Sequence, residues 1–384
     1  MSKARFAEVS IIYESVDITR DIAPFLTSFT YNDNASDKAD DISITLEDRK
    51  RLWLNDWFPT KGDKIVAAII LHDWHKTNDV QTLPCGAFEV DSVDCSGPPT
   101  VINIKAISTL ISKPMKSEAH TKAWENVRLS TIAGDIANKN GLNLFWDCES
   151  DYYFSRKDQV EISDLEFLNA LCHDYGVNVK VTDKQLVLYS RDTYEAKGAI
   201  DVLEFGDEKL LRWQFSSKAT GIYKAARLQY HDPVKNKNID VTIKADGQAE
   251  GSNRVLMINV KAESTDDAKK ICEERLKAAN SKEITGSVSL MGDLRYVGGS
   301  NVDIKGFGAF DGKYLIESAT HSLAGSGYTT NIKLSMNKES KEKATAKKSS
   351  KRKAAKPSKK KAKPALTTTE DVPVYTGERV KIIG

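Results

Sequence analysis

A chain of 384 residues that are 40% hydrophobic, 29% charged and 8% aromatic has material for two or three cores, which excludes a peptide-sized scaffold and a wholly disordered protein. Its longest apolar run, Ile65–Leu71, has seven residues where a membrane-crossing helix needs about 20, so no membrane insertion is expected. The formal charge of +2 conceals an asymmetry: of 56 basic and 54 acidic residues, 13 and 2 fall between Asn337 and Pro364, so a segment of +11 is attached to a body of about −9.

The first ten residues, MSKARFAEVS, show neither a long apolar segment nor a small-residue cleavage site, and synthesis in the cytoplasm is the expectation. Residues 1–108 then read as strands and turns. Ile42, Ile44 and Leu46 alternate with Ser43 and Thr45, the period of a half-buried strand. Lys64–Leu71 is almost continuously apolar and suits a strand buried on both faces. Phe88–Val90 and Val101–Ile107 flank the turn Ser96-Gly97-Pro98-Pro99. So many short strands predict a small antiparallel barrel or sandwich, with Arg49–Trp57 as a short helical plug.

From 109 to 198 the period changes. Leu129, Ile132, Ala133, Ile136 and Ala137 form a helical stripe that Asn140-Gly141 stops. Ser163 and Glu166 form a capping-box pattern ahead of Leu168, Leu171, Cys172 and Tyr175, and Gly176 ends that helix. Val177–Val181 and Leu186–Tyr189 predict a hairpin against which the helices pack, giving a compact α+β unit. From 199 to 336 strands return around one helix, Ser264–Ala279, with a serine cap and Asp266 and Asp267 opposing the dipole in its first turn. Tyr328–Met336 is a strictly alternating strand whose expected partner is Tyr314–Ala319, joined by a loop over His321–Gly327.

The segment 337–364 has no aromatic and no large aliphatic residue, so it cannot bury enough surface to offset the entropy of ordering and is expected to be a disordered tether. Residues 365–384 restore apolar content with Val372, Val374, Tyr375, Val380, Ile382 and Ile383, and Pro364, Pro373 and the threonine run favour an extended docking peptide. Contact with a partner is assigned to Lys347, Lys348, Lys351, Arg352, Lys353, Lys359, Lys360 and Lys361 in the tether and to Val374, Tyr375 and Ile382 in the peptide. Such a run also attracts nucleic acid by counterion release, but it lacks the interleaved aromatics that stack on bases, and a tether is the expected role.

No catalytic, metal or cofactor residues are expected. His72 and His75 follow a strand, where an i, i+3 pair does not converge on an ion. Cys172-His173-Asp174 contains the residue types of a thiol triad, but neighbours on one helix point about 100° apart. The five cysteines are scattered with no C-x-x-C pair; Cys85 and Cys95 could face each other across a hairpin, yet thiols are expected in a protein made in the cytosol. The acidic pairs Asp40-Asp41 and Asp266-Asp267 suit turns and helix starts. The glycines at 298–299 and 306–308 do not sit between a strand and a helix, so they form no phosphate cradle.

Several strings carry a resemblance. DISITLED (Asp41–Asp48), WFPTKG (Trp57–Gly62), CGAFEVD (Cys85–Asp91) and SGPP (Ser96–Pro99) resemble the N-terminal half of the phage late-control D family of baseplate hub proteins. DLEFLNAL (Asp164–Leu171) with Tyr175-Gly176, then GKYLIESATH (Gly312–His321) and GYTT (Gly327–Thr330), resemble its middle and C-terminal parts. The match runs in order over residues 1–336. It implies a structural, non-enzymatic homotrimer in the baseplate of a contractile tail or tail-like particle, similar in plan to the hub part of type VI secretion spike proteins. Each subunit would carry two tube-like antiparallel β-barrel domains, 1–108 and 199–336, flanking the small α+β domain 109–198, so that three copies adapt a sixfold tail tube to a threefold spike. The implied partners are tail tube protein, a separate spike protein, other baseplate proteins and a tape-measure or other lumen component. A tail-associated peptidoglycan hydrolase and a nucleic-acid-binding protein acting through the basic segment are the alternatives; the first would require a convergent carboxylate pair, which the sequence does not display.

Overall fold

The computed structural model describes residues 5–36, 38–108, 113–182, 185–232, 236–245 and 253–337. The fold is mainly β. Thirteen strands belong to one sheet whose main path runs Leu210–Ser217, Ile284–Met291, Gly327–Met336, Gly312–Ala324, Leu26–Asn34, Asp41–Glu47, Val101–Ser108, Val80–Ser96, Lys64–His72, Phe6–Tyr13 and Val16–Asp17. Asn301–Lys305 branches from Gly312–Ala324 and pairs in parallel with Ala199–Glu204. The seam is the antiparallel register Ser318↔Asn34 to Ala324↔Ser28, through which the N-terminal and C-terminal strand groups share one ladder.

In the N-terminal group, alternation sends Ile42, Ile44 and Leu46 into a core with Phe29, Ile65, Ile69, Phe88 and Ile104, and each such burial is worth about 1.5–3 kcal/mol. Val80–Ser96 is 17 residues long and pairs with Lys64–His72 through its first half and with Val101–Ser108 through its second. Two expectations change. Lys64–His72 is buried on one face: Ile65, Ala67, Ile69 and Leu71 point inward while Val66 is 43% exposed, so its uninterrupted apolar sequence reflects an apolar outer face as well as a core. Arg49–Trp57 is a run of turns, not a helix; Trp53 is buried at its centre and Arg51 takes a positive φ that interrupts any helical run.

The α+β region forms as its periodicity predicts. Leu129–Lys139 buries Leu129, Ile132, Ala133, Ile136 and Ala137, and Gly141 leaves at φ +70°. Ser163 accepts the Glu166 amide at 3.2 Å to cap Asp164–Asp174. Val177–Thr182 and Gln185–Ser190 form the hairpin, and Asn143–Asp147 adds in parallel. The apolar core, however, does not divide at 198/199. Leu228, Ile239, Val241 and Ile258, from a small separate sheet, join it together with Ile271 and Leu276 from Thr265–Asn280. That helix is capped as expected, with Ser264 accepting from the Asp267 amide at 3.1 Å.

Gly312–Ala324 and Gly327–Met336 pair out to Ala324↔Gly327, so the turn is Gly325-Ser326 and His321, expected in the loop, is a fully buried strand residue. Asn337, counted with the basic segment in the sequence, belongs to the folded body: it is buried, its amide donates to Lys313 O at 2.9 Å and its side chain donates to Glu195 O at 3.0 Å. The rest of the expected tether and the docking peptide, with Lys347, Lys348, Lys351, Arg352, Lys353, Lys359, Lys360, Lys361, Val374, Tyr375 and Ile382, lie outside the described residues.

Candidate interaction surfaces and a buried polar junction

The α+β region meets the sheet beside the seam through polar groups. Lys180, on the outward side of its strand between Val179 and Val181, reaches Asp33 at 2.6 Å, the Asn34 carbonyl at 2.7 Å and Asp40 at 3.6 Å. The second Asp33 oxygen accepts the Gly298 amide at 2.8 Å, so one carboxylate ties the insert and the C-terminal strand group to the N-terminal strand Leu26–Asn34. Tyr189 donates to Ala35 O at 2.6 Å. Arg191 donates to Glu195 at 2.7 Å, to Glu317 at 2.8 Å and to Ser335 at 2.7 Å.

Burial works against the Lys180 ammonium, but Asp33 and Asp40 outweigh it and raise its pKa. Burial pushes the Asp40 carboxyl up to about 6 in spite of the opposing pull of Lys180. Nearer the hairpin, His321 packs between Tyr31 and Tyr328. Its Nδ1 lies 2.7 Å from the Tyr328 hydroxyl and its Nε2 lies 3.0 Å from Tyr296 O, which suits a neutral ring donating from Nε2 to the carbonyl. Burial lowers its pKa accordingly.

A pH dependence follows from Asp40. An unfolded carboxyl near 3.8 and a folded one near 6 mean that the folded chain holds more protons in that window. The contribution is full below about pH 4 and is lost as pH rises through about 6. Asp40→Asn should remove that decline, so the variant-minus-parent stability difference from urea unfolding should grow by about 1–2 kcal/mol between pH 4 and 7. A difference that stays flat would contradict the assignment.

The motifs weighed for chemistry have structural places. His72 stacks on Phe6 at 4.3 Å and pairs with Glu8 at 2.8 Å, while His75 is exposed in the following loop. Among the described residues no three His, Cys, Asp or Glu side chains are grouped to hold a metal ion. All five cysteines are thiols, Cys85 buried and Cys95 exposed. Cys172 is buried, which pushes its pKa well up, and the neighbouring Asp174 is taken by Arg275 at 2.7 Å. The Gly298 turn serves close approach: a Cβ there would sit 2.8 Å from Ala35 N. The cavity beside Asp40, lined also by Lys38, Ser108, Asn169 and Lys180, measures ≈ 40 Å³, far below the roughly 300 Å³ of a small-molecule site.

Two outer surfaces are apolar. Trp57 and Phe58 stand out from the turns after Asp48, at 44% and 50% exposure. At one end of the large sheet the aromatic rings of Phe205, Trp213, Phe215, Phe307 and Phe310 contact one another, with Phe205 at 61% and Trp213 at 46% exposure. Neither patch is legible in the sequence, because an isolated aromatic reads equally well as core.

With this geometry the fold is that of phage tail proteins. It matches a tail protein of Neisseria meningitidis at TM-score 0.65 and 10% identity, covering 88% of this chain and 99% of that one. It also matches the 43 kDa tail protein of prophage MuSo2 from Shewanella oneidensis at TM-score 0.63 and 14% identity, covering 86% and 98%. A type VI secretion component of Escherichia coli matches at TM-score 0.51 and 12% identity, covering 82% and 74%.

Two curated relatives carry the name that the sequence strings suggested. The chain is 26% identical over 186 residues to the "Probable baseplate hub protein" of Escherichia phage 186 and 29% identical over 173 residues to that of Escherichia phage P2. These matches cover 48% and 44% of this chain and 45% and 42% of the relatives, so the chain spans less than half the length of the curated relatives it matches. A YQBQ-like family model matches residues 223–335. The resemblance to phage baseplate hub proteins is borne out.

Proposed function

We propose that the chain is the structural hub of a contractile-tail baseplate, acting without catalysis. The observation that carries this reading is the conjunction of hub-named relatives with one ladder uniting two strand groups. In this reading the strand groups at 1–108 and 199–336 are two tube-like lobes around the insert, and three copies on the tail axis offer six lobes to the tube and threefold symmetry to the spike. The buried junction keeps the lobes in fixed relation while sheath contraction drives tube and spike forward. The protein is made in the host bacterial cytoplasm and ends in the particle, with tube, spike and neighbouring baseplate proteins as partners. The basic segment carries the terminal peptide to one of those neighbours.

The map of an assembled particle tests the reading. Three copies on the axis support it; a position off the axis, or lobes of unlike architecture, overturns it. Deleting residues 338–384, which retains the buried Asn337, should leave the trimer intact and reduce particle assembly. Full assembly by the shortened chain would remove the role given to the tail.

A further inference from the structure

The cavity beside Asp40 lies where the insert meets the N-terminal strand group. Lys38, Ala39, Asp40 and Ser108 line it from the strand group. Leu165 and Asn169 of Asp164–Asp174, with Val179, Lys180 and Val181 of Val177–Thr182, line it from the insert. At ≈ 40 Å³ it exceeds the roughly 10–15 Å³ that one water requires, which leaves room for a small ion.

Its polar lining is only partly committed. Lys180 is taken by Asp33 at 2.6 Å and by the Asn34 carbonyl at 2.7 Å. Among the described residues the Lys38 ammonium, the Ser108 hydroxyl and the Asn169 carboxamide have no hydrogen-bond or ion-pair partner. Each of the three can donate a proton to a ligand. Charge then decides what kind of ligand fits. Asp40 accepts the Asn34 amide at 2.8 Å and lies 3.6 Å from Lys180, with Asp33 on the far side of that lysine and Lys38, Ser108 and Asn169 around the same cavity. When both aspartates are ionised, two lysines and two carboxylates balance. Burial lifts the Asp40 carboxyl to about 6; below that pH the two lysines face Asp33 alone, and one positive charge is in excess.

We propose that this cavity binds one small inorganic anion of halide size and takes it up together with a proton on Asp40. Proton and anion enter as a neutral pair, so the site gains no net charge, and the cation left in excess by protonation is compensated where it stands. Lys38, Ser108 and Asn169 supply the donors. Two of them belong to the strand group and one to the insert, so the bound ion ties the same two parts of the fold that Lys180 joins.

Urea unfolding of the full chain in sodium chloride and in sodium gluconate of equal ionic strength tests this, because gluconate is too large for the cavity. With a dissociation constant on the order of 20 mM, about 0.2 M chloride should raise the folding constant about tenfold over gluconate near pH 5. Near pH 7.5, where few molecules carry the Asp40 proton, the rise should be less than about twofold. Asn169→Leu removes one donor and changes neither Asp40 nor Lys180, so it should lose the response near pH 5. Asp40→Asn is neutral at every pH and should show about the tenfold rise near pH 7.5 as well. Broadening of the chloride magnetic-resonance line near pH 5, relieved in Asn169→Leu, reads the same binding without unfolding. The proposal is overturned if chloride and gluconate act alike on the parent near pH 5, which assigns the cavity to water. It is equally overturned if Asn169→Leu keeps the response, which places the ions elsewhere, or if Asp40→Asn responds no more than the parent near pH 7.5. The measurements use the isolated chain, so their failure leaves the hub reading standing.

Discussion

Lys180→Met should lower the unfolding free energy by about 3–5 kcal/mol near neutral pH. The substitution keeps most of the volume of the side chain and removes the cation, leaving Asp33 and Asp40 facing each other with side-chain exposures of 8% and 13%. The intact pair need not stabilise much over an apolar replacement, because desolvating both partners cancels most of their attraction; a single orphaned partner is what costs. Combining Lys180→Met with Asp33→Asn and Asp40→Asn should therefore recover a large part of the loss, and urea unfolding of the parent, the single variant and the triple variant measures it. A single-variant loss below about 1 kcal/mol would mean that the junction is solvated and carries little of the contact.

Gly298→Ala should cost about 2–4 kcal/mol through a different cause. Its new methyl would meet backbone atoms, Ala35 N at 2.8 Å and the Asn34 carbonyl carbon at 3.0 Å, at the end of the strand Leu26–Asn34 that forms the seam. Relief of the clash would draw the Gly298 amide away from Asp33. Gly325→Ala is the control: nothing lies within 4 Å of a Cβ at that turn position, and its effect should stay within about 0.5 kcal/mol. Equal effects at the two glycines would show that close approach at residue 298 is not what matters.

Local pattern was legible in the sequence wherever one face decides the structure. The strand Asp41–Glu47, the stripe of Leu129–Lys139 and the caps at Ser163 and Ser264 formed as their spacing indicated. The misread elements involve tertiary choices. The glycines after His321 point to a loop there, but the ladder runs on to Ala324. Adjacency in sequence groups the helix Thr265–Asn280 with the last strands, whereas its apolar stripe enters the core of the α+β region. Asp33, Lys180 and Arg191 gave no signal at all. A charge alternating with valines, as at Lys180, reads as solvent-facing, and no spacing relates it to an aspartate 147 positions away. The family strings lie in the strands, turns and helices of the body, so they identified the kind of protein without disclosing its polar junction.

The seam also sets an order of events during synthesis. Leu26–Asn34 takes its second neighbour from Ser318–Ala324, and Leu323 and Tyr328 complete the N-terminal core. Nearly three hundred residues must be translated between the two, which at 5–20 residues per second takes roughly 15–60 s. Throughout that interval the nascent lobe presents an unfinished ladder, so its final closure awaits the arrival of the last hairpin from the ribosome.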